Sequence, residues 1–225
     1  MKNKSLWLTG FGLMILSVIW TVLIRTVDVA AIGPAGTSIG LSSLNGAVRA
    51  AVGEHLIWYK ITQLIGYVSL LFAAFFGLCG LIQWIKCKNI LKVDREILAL
   101  GVLFAIVIGL YFFFEVVIVN YRPVLMDGST APEASFPSSH TMLACVVFGG
   151  MIAVLGKYVK GALLRRVLRL AAGAVILIAV IGRLLSGVHW FTDIVAAVLI
   201  SASLLTLFAA AIRPAKGEKN LETQD

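Results

Sequence analysis

Apolar residues fill this chain in long runs broken by short polar stretches, and the lengths of the runs sort them. Leu6 to Ile24, Ile61 to Ile85, Ile97 to Val119 and Trp190 to Ile212 are each about long enough as helices, at ~1.5 Å per residue, to cross a hydrocarbon layer of roughly 30 Å. Thr141 to Leu155 and Val167 to Ile181 are shorter but equally apolar. The pattern predicts an all-α polytopic membrane protein with six transmembrane helices in one domain over 1–225, ending in a polar tail from about 213. Asp28 to Tyr59 does not read as a span. Gly33-Pro34-Ala35-Gly36-Thr37-Ser38 reads as turns, and Leu41, Leu44, Val48 and Val52 then recur at helical spacing. A short amphipathic helix on the membrane surface is expected there, between the first and second spans. The first run follows Lys2 and Lys4 and also fits a signal peptide, with Val29-Ala30-Ala31 as a weak cleavage site. Its apolar length favours a retained helix.

Composition agrees with the pattern: 60% of residues are hydrophobic and 13% charged, against roughly 25% charged in soluble domains. The net charge of +8 does not point to nucleic acid, because the basic residues sit in short clusters between apolar runs. Lys2, Lys4, Lys86, Lys88, Lys92, Arg95, Lys157, Lys160, Arg165, Arg166, Arg169, Arg213, Lys216 and Lys219 all fall on one side of a six-span topology. Arg25, Arg49, Lys60, Arg122 and Arg183 fall on or near the other. Cytoplasmic loops carry the excess of Lys and Arg, so both termini are expected in the cytoplasm of a multi-pass plasma-membrane protein. Cys79, Cys87 and Cys145 lie in or beside apolar runs without metal-type spacing and read as packing residues.

Three polar stretches interrupt the runs on the less basic side: Asn120-Tyr121-Arg122-Pro123, Phe136-Pro137-Ser138-Ser139-His140-Thr141, and Gly182 through Asp193. Ionisable groups at membrane depth are expensive and mark functional sites, so convergence of three such loops counts for more than any one of them. Arg122 and Arg183 offer planar forks to phosphate oxygens. The second stretch reads as a helix start with Pro137 in its first position, where backbone N–H groups near Ser138 and Ser139 are free to bind an anion. His189 and Asp193 are spaced to share a helical face, where the carboxylate would fix the imidazole tautomer and raise its basicity for attack on phosphorus. His140, on the opposite stretch, is placed to protonate the leaving oxygen. His140, His189 and Asp193 also fit a zinc site, but two arginines in the same pocket would repel a dication, so no metal and no cofactor are expected.

Together these residues resemble the tripartite signature of the type 2 phosphatidic acid phosphatase superfamily, the lipid phosphate phosphatases. Its motifs are Lys-x6-Arg-Pro, Pro-Ser-Gly-His and Ser-Arg-x5-His-x3-Asp. Arg122-Pro123, Pro137-Ser138-x-His140 and Arg183-x5-His189-x3-Asp193 match in order and spacing. The resemblance implies that His189 is a nucleophile forming a phosphohistidine, Asp193 its partner, His140 the general acid, and Arg122, Ser138 and Arg183 the phosphate clamp. The position of the site points to a membrane lipid as substrate, a lipid phosphate or an isoprenoid pyrophosphate: at the outer ends of the helices it can accept a headgroup while the acyl or prenyl chains stay in the bilayer. A phosphotransferase using the same intermediate, or a catalytically weak lipid-binding member, are the alternatives. Ser139 stands in place of the motif glycine, Gly182 in place of the serine, and Glu115 in place of the lysine. On a continuous helix Glu115 would lie ~10.5 Å along the axis from Arg122. It is therefore expected to point inward and meet Arg183 or, as the second choice, a cationic group on the substrate.

Overall fold

The computed structural model describes residues 2–126 and 128–213, and among these it contains α1 (Lys2–Thr26), α2 (Ser42–Val52), α3 (Leu56–Cys87), α4 (Arg95–Val116), α5 (Ser139–Tyr158), α6 (Ala162–Leu185) and α7 (Phe191–Ile212). All but α2 are long and apolar enough to cross a membrane. The tail expected beyond Arg213 lies outside the described residues.

Helix boundaries depart from the apolar runs for local reasons. α4 stops at Val116 because the β-branched run Val116-Val117-Ile118-Val119 favours extended backbone, and Val117 leaves the helical region with ψ 80. Arg122 therefore lies in a loop, not on a helical face with Glu115. α6 begins well before its apolar run because Ala162, Leu163, Leu164, Arg165 and Arg166 are strong helix formers that carry it beyond the hydrocarbon. α5 continues to Tyr158, where Lys157 Nζ reaches Asp94 at 2.9 Å and Glu96 at 2.5 Å.

α5 and α7 form the centre of the bundle: ten of the twenty residues of α5 are buried, against three of the thirty-two in α3. Glycines permit the close approaches. A Cβ on Gly149 would lie 2.5 Å from Leu205 on α7, and one on Gly150 would lie 2.9 Å from Leu100 on α4. Small residues at crossing points are how helices pack where lipid removes the hydrophobic drive between them.

At the end of the bundle away from Lys157, the α1–α2 loop folds back on the helices. Gly40 sits so close to the Ile24 carbonyl that any Cβ would overlap it. Asp28 accepts from Ser42 Oγ at 2.9 Å and from Ser43 N at 2.7 Å, which supplies partners to the start of α2. These bonds hold the exposed Asp28 carboxyl below the usual carboxylate range. The short helix expected from the sequence is present, but it turns Ser42 and Asn45 toward the protein and leaves Leu44 exposed. Asn45 Nδ2 donates to Thr192 Oγ1 at 3.0 Å and to Gly40 O at 2.8 Å, so a polar contact positions α2 against the start of α7.

Candidate active site

The loop between α4 and α5 crosses this end of the bundle as a short antiparallel pairing. Tyr121 bridges Ala134, Arg122 N donates to Glu133 O at 2.9 Å, and Ser135 N donates to Asn120 O at 2.9 Å. Trp190 is buried and ties the loop down by donating Nε1–H to the Tyr121 carbonyl at 2.7 Å. Asn120, Arg122 and Ser135 are thereby laid beside the 186–190 turn, which carries His189.

His189 precedes the first turn of α7, so it does not share a helical face with Asp193 as the spacing suggested. Its Nδ1 is 2.9 Å from the Ser135 carbonyl and 3.2 Å from Ser135 Oγ, but 4.0 Å from Asp193 Oδ2. A carbonyl only accepts, so Nδ1 carries the proton and Nε2 the lone pair. Asp193 acts at one remove: Ser135 Oγ donates to its Oδ2 at 2.5 Å, Asn120 Nδ2 to its Oδ1 at 2.9 Å, and Trp190 N to its Oδ2 at 3.0 Å. Three donors suit a buried ionised carboxylate. Burial, reinforced by the nearby charges of Arg122 and Arg183, holds His189 well below the usual imidazole range, so it is neutral at pH 7.

Arg183, in the last turn of α6, is 1% exposed. Its Nη1 donates to Thr62 Oγ1 at 3.1 Å, its Nη2 to His140 Nδ1 at 3.1 Å, and its guanidinium lies 5.3 Å from the Tyr59 ring centroid. Because arginine cannot accept, His140 here accepts through Nδ1 and keeps its proton on Nε2. The expected contact between Glu115 and Arg183 is not made: α3, through Thr62 and Tyr59, and His140 orient the guanidinium instead. Gly182, in place of the motif serine, has its space taken. A Cβ there would lie 2.9 Å from both Thr62 Cγ2 and Trp58 Cε3.

Pro137 lies before the N-cap, not in the first helical position: Ser138 is the N-cap and α5 begins at Ser139. Ser138 is fully buried, gives its N–H to the Asp193 carbonyl at 3.1 Å and its hydroxyl to Thr141 Oγ1 at 2.9 Å. It thus locks α5 onto α7. Ser139 instead lines the cavity, with Arg122, Ser135 and His189 around it. A larger cleft of about 410 Å³ joins this side, lined by Arg122, Ser139 and His140 and then by Tyr67, Leu70 and Val107 between α3, α4 and α5. Among the described residues no three His, Cys, Asp or Glu side chains assemble as a metal-binding group.

The structure therefore gathers His189, His140, Arg122, Arg183 and Ser139, with Asp193 behind and Ser138 turned away. Sequence reasoning missed Ser135, the role of Asn120, Thr62 and Tyr59 under Arg183, and Glu133, whose Oε2 lies 3.2 Å from Arg122 Nε.

Comparison with known proteins points the same way. The family model of the PAP2 superfamily matches residues 97–216, a stretch containing Glu115 and every one of the gathered side chains. The chain is similar in fold to the crystal structure of a transmembrane PAP2 type phosphatidylglycerolphosphate phosphatase from Bacillus subtilis, with a TM-score of 0.61 and 19% identity over 96% of this chain and 97% of that one. No curated protein matches it. With more than half of its length matched and the site's residues inside that match, the chain belongs to the PAP2 superfamily and is a membrane-embedded hydrolase of lipid phosphoric esters.

Proposed function

We propose that the site removes the terminal phosphate from a lipid phosphate or an isoprenoid pyrophosphate through a phosphohistidine on His189, at the outer face of the plasma membrane. The observation that carries this reading is a set of buried polar atoms with no hydrogen-bond partner among the described residues: Arg122 Nη1, Arg183 Nε and His189 Nε2, while Arg122 Nε has the Glu133 carboxylate at 3.2 Å. Leaving such a group unsatisfied costs about 1–3 kcal/mol, more when it is charged. Two unpartnered arginine donors and one nucleophilic lone pair, with the charges of Arg122 and Arg183 both close enough to act on His189, fit a phosphoryl group, its oxygens on the arginines and its phosphorus facing Nε2.

In the first step the Nε2 lone pair forms a bond to phosphorus as the bond to the leaving oxygen breaks, and that oxygen takes a proton from His140. The charge that develops on the imidazole is stabilised at Nδ1–H by the Ser135 carbonyl and, through Ser135 Oγ, by Asp193. In the second step water attacks phosphorus, gives a proton to His140, and the P–N electron pair returns to Nε2. His140 becomes an acid only when Nδ1 is freed from Arg183 and takes a proton from bulk water, which makes the ring an imidazolium. A phosphate dianion that draws the guanidinium away provides that release, and the proton passed to the leaving oxygen is restored by the attacking water.

Purified protein in detergent should release inorganic phosphate from lipid phosphates with EDTA present, and no release from any lipid phosphate overturns the reading. Sidedness is tested separately. On a cysteine-free background, Thr130→Cys should react with a membrane-impermeant thiol reagent on intact cells and Gly161→Cys should not. The opposite labelling pattern would move the site to the cytoplasmic face.

A further inference from the structure

The cleft between α3, α4 and α5 has two chemically unlike walls. Arg122, Ser139 and His140 belong to the phosphate site; Glu115 and Tyr111 from α4 line both the small cavity beside His189 and this cleft, and Gln63 from α3 lines the cleft. Of the acceptors on this second wall, Gln63 Oε1 lacks a donor and Glu115 has only the Tyr111 hydroxyl. Gln63 Oε1 is buried with no hydrogen-bond partner, its amide nitrogen being 3.3 Å from the Tyr67 hydroxyl. Glu115 makes no ion pair among the described residues, and its carboxylate interacts with the Tyr111 hydroxyl one turn back. A carboxylate at membrane depth needs a donor. Arg183, the protein group expected to supply one, is already held by Thr62 and His140.

Resting on the phosphatase reading above, we infer that the substrate is a lipid phosphomonoester whose linking group bears a hydroxyl or ammonium beside the phosphate, and that Glu115 binds this donor and rejects lipid pyrophosphates. The reason is geometric. With the scissile phosphate on Arg122, Arg183 and His189, the next group of the substrate enters the cleft beside Glu115, and the chain continues along Leu70, Val107 and Leu143. In a pyrophosphate that next group is a second anion facing a carboxylate at low dielectric, which is repulsive. In a hydroxylated or aminated lipid it is a donor, and Glu115 and Gln63 are the acceptors waiting for it.

The test is kcat/KM for phosphate release from four probes in detergent: a diacylglycerol phosphate, its lyso form with a free hydroxyl, a sphingoid-base phosphate bearing an ammonium, and a prenyl pyrophosphate. The hydroxyl and ammonium probes should exceed the other two by roughly tenfold or more, the scale of one charge-assisted hydrogen bond. Glu115→Gln should keep the hydroxyl probe within a few fold and bring the ammonium probe down to the level of the diacylglycerol phosphate, which tells the two donors apart. Glu115→Lys should lower the ammonium probe further and raise the pyrophosphate roughly tenfold. Release with the same ranking in wild type and both variants overturns the inference alone, whereas no release from any probe overturns the phosphatase reading and the inference with it.

Discussion

His189→Ala should reduce phosphate release by roughly 10⁴-fold or more, the scale on which removing a covalent nucleophile acts. Its Nε2 is a buried lone pair with no partner among the described residues, at the cavity that Arg122 and Ser139 also line and within reach of the charges of Arg122 and Arg183. Ser135→Ala should cost less, because the Ser135 carbonyl still holds Nδ1–H while only the bridge to Asp193 is lost. Near-normal turnover in His189→Ala would remove the phosphohistidine from the mechanism. The same residue sets a pH effect on stability. Its pKa is lower in the folded chain than the ordinary value near 6.5, so below that pH the unfolded chain binds the additional proton. The stability gained by keeping His189 neutral is complete above about pH 6.5 and shrinks as pH falls below it. Thermal melts in detergent should therefore show a steeper loss between pH 7 and pH 5 for wild type than for His189→Ala.

Much of this site was legible in the chain because its ionisable residues interrupt apolar runs. An arginine, a histidine or an aspartate at membrane depth stands out, and Arg122, His140, Arg183, His189 and Asp193 could be assigned to one end of the bundle by counting spans alone. Ser135 could not be found in that way. A serine in a polar loop has no periodicity to break, and its contacts lie 54 and 58 residues away on His189 and Asp193. Glu115 was misread for a related reason. Its partner was chosen by charge, but Arg183 satisfies itself on α3, where Thr62 lies 121 residues away in sequence. A faint signal for that surface was present: Thr62, Gly66 and Ser69, all buried, recur at helical spacing in an otherwise apolar run and mark the face of α3 that packs inward. The helix start was misplaced by two residues because Pro137 is equally compatible with the position before an N-cap, and only the bond from Ser138 N to Asp193 O decides it.

That stripe on α3 also supports the second large effect. His140→Ala should slow hydrolysis of alkyl lipid phosphates by about 10²-fold or more, within the usual range for a general acid, and should slow an activated aryl phosphate far less because its leaving group departs without a proton. The split separates chemistry from shape. His140 also receives Arg183 Nη2, so its removal loosens the phosphate clamp, and a defect in the clamp alone would slow both substrate types by the same factor. Gly66→Ala gives an independent check that keeps the imidazole: a Cβ there would lie 2.6 Å from His140 Cδ2 and 3.1 Å from Nε2, so the ring must shift. The shift moves the acidic Nε2–H away from the leaving oxygen while Arg122 and His189 remain in place. Gly66→Ala should therefore reproduce the same preference for aryl over alkyl phosphates at a smaller overall loss. Equal losses for both leaving groups in both variants would reduce His140 to a support for Arg183 and leave the proton to be delivered by water.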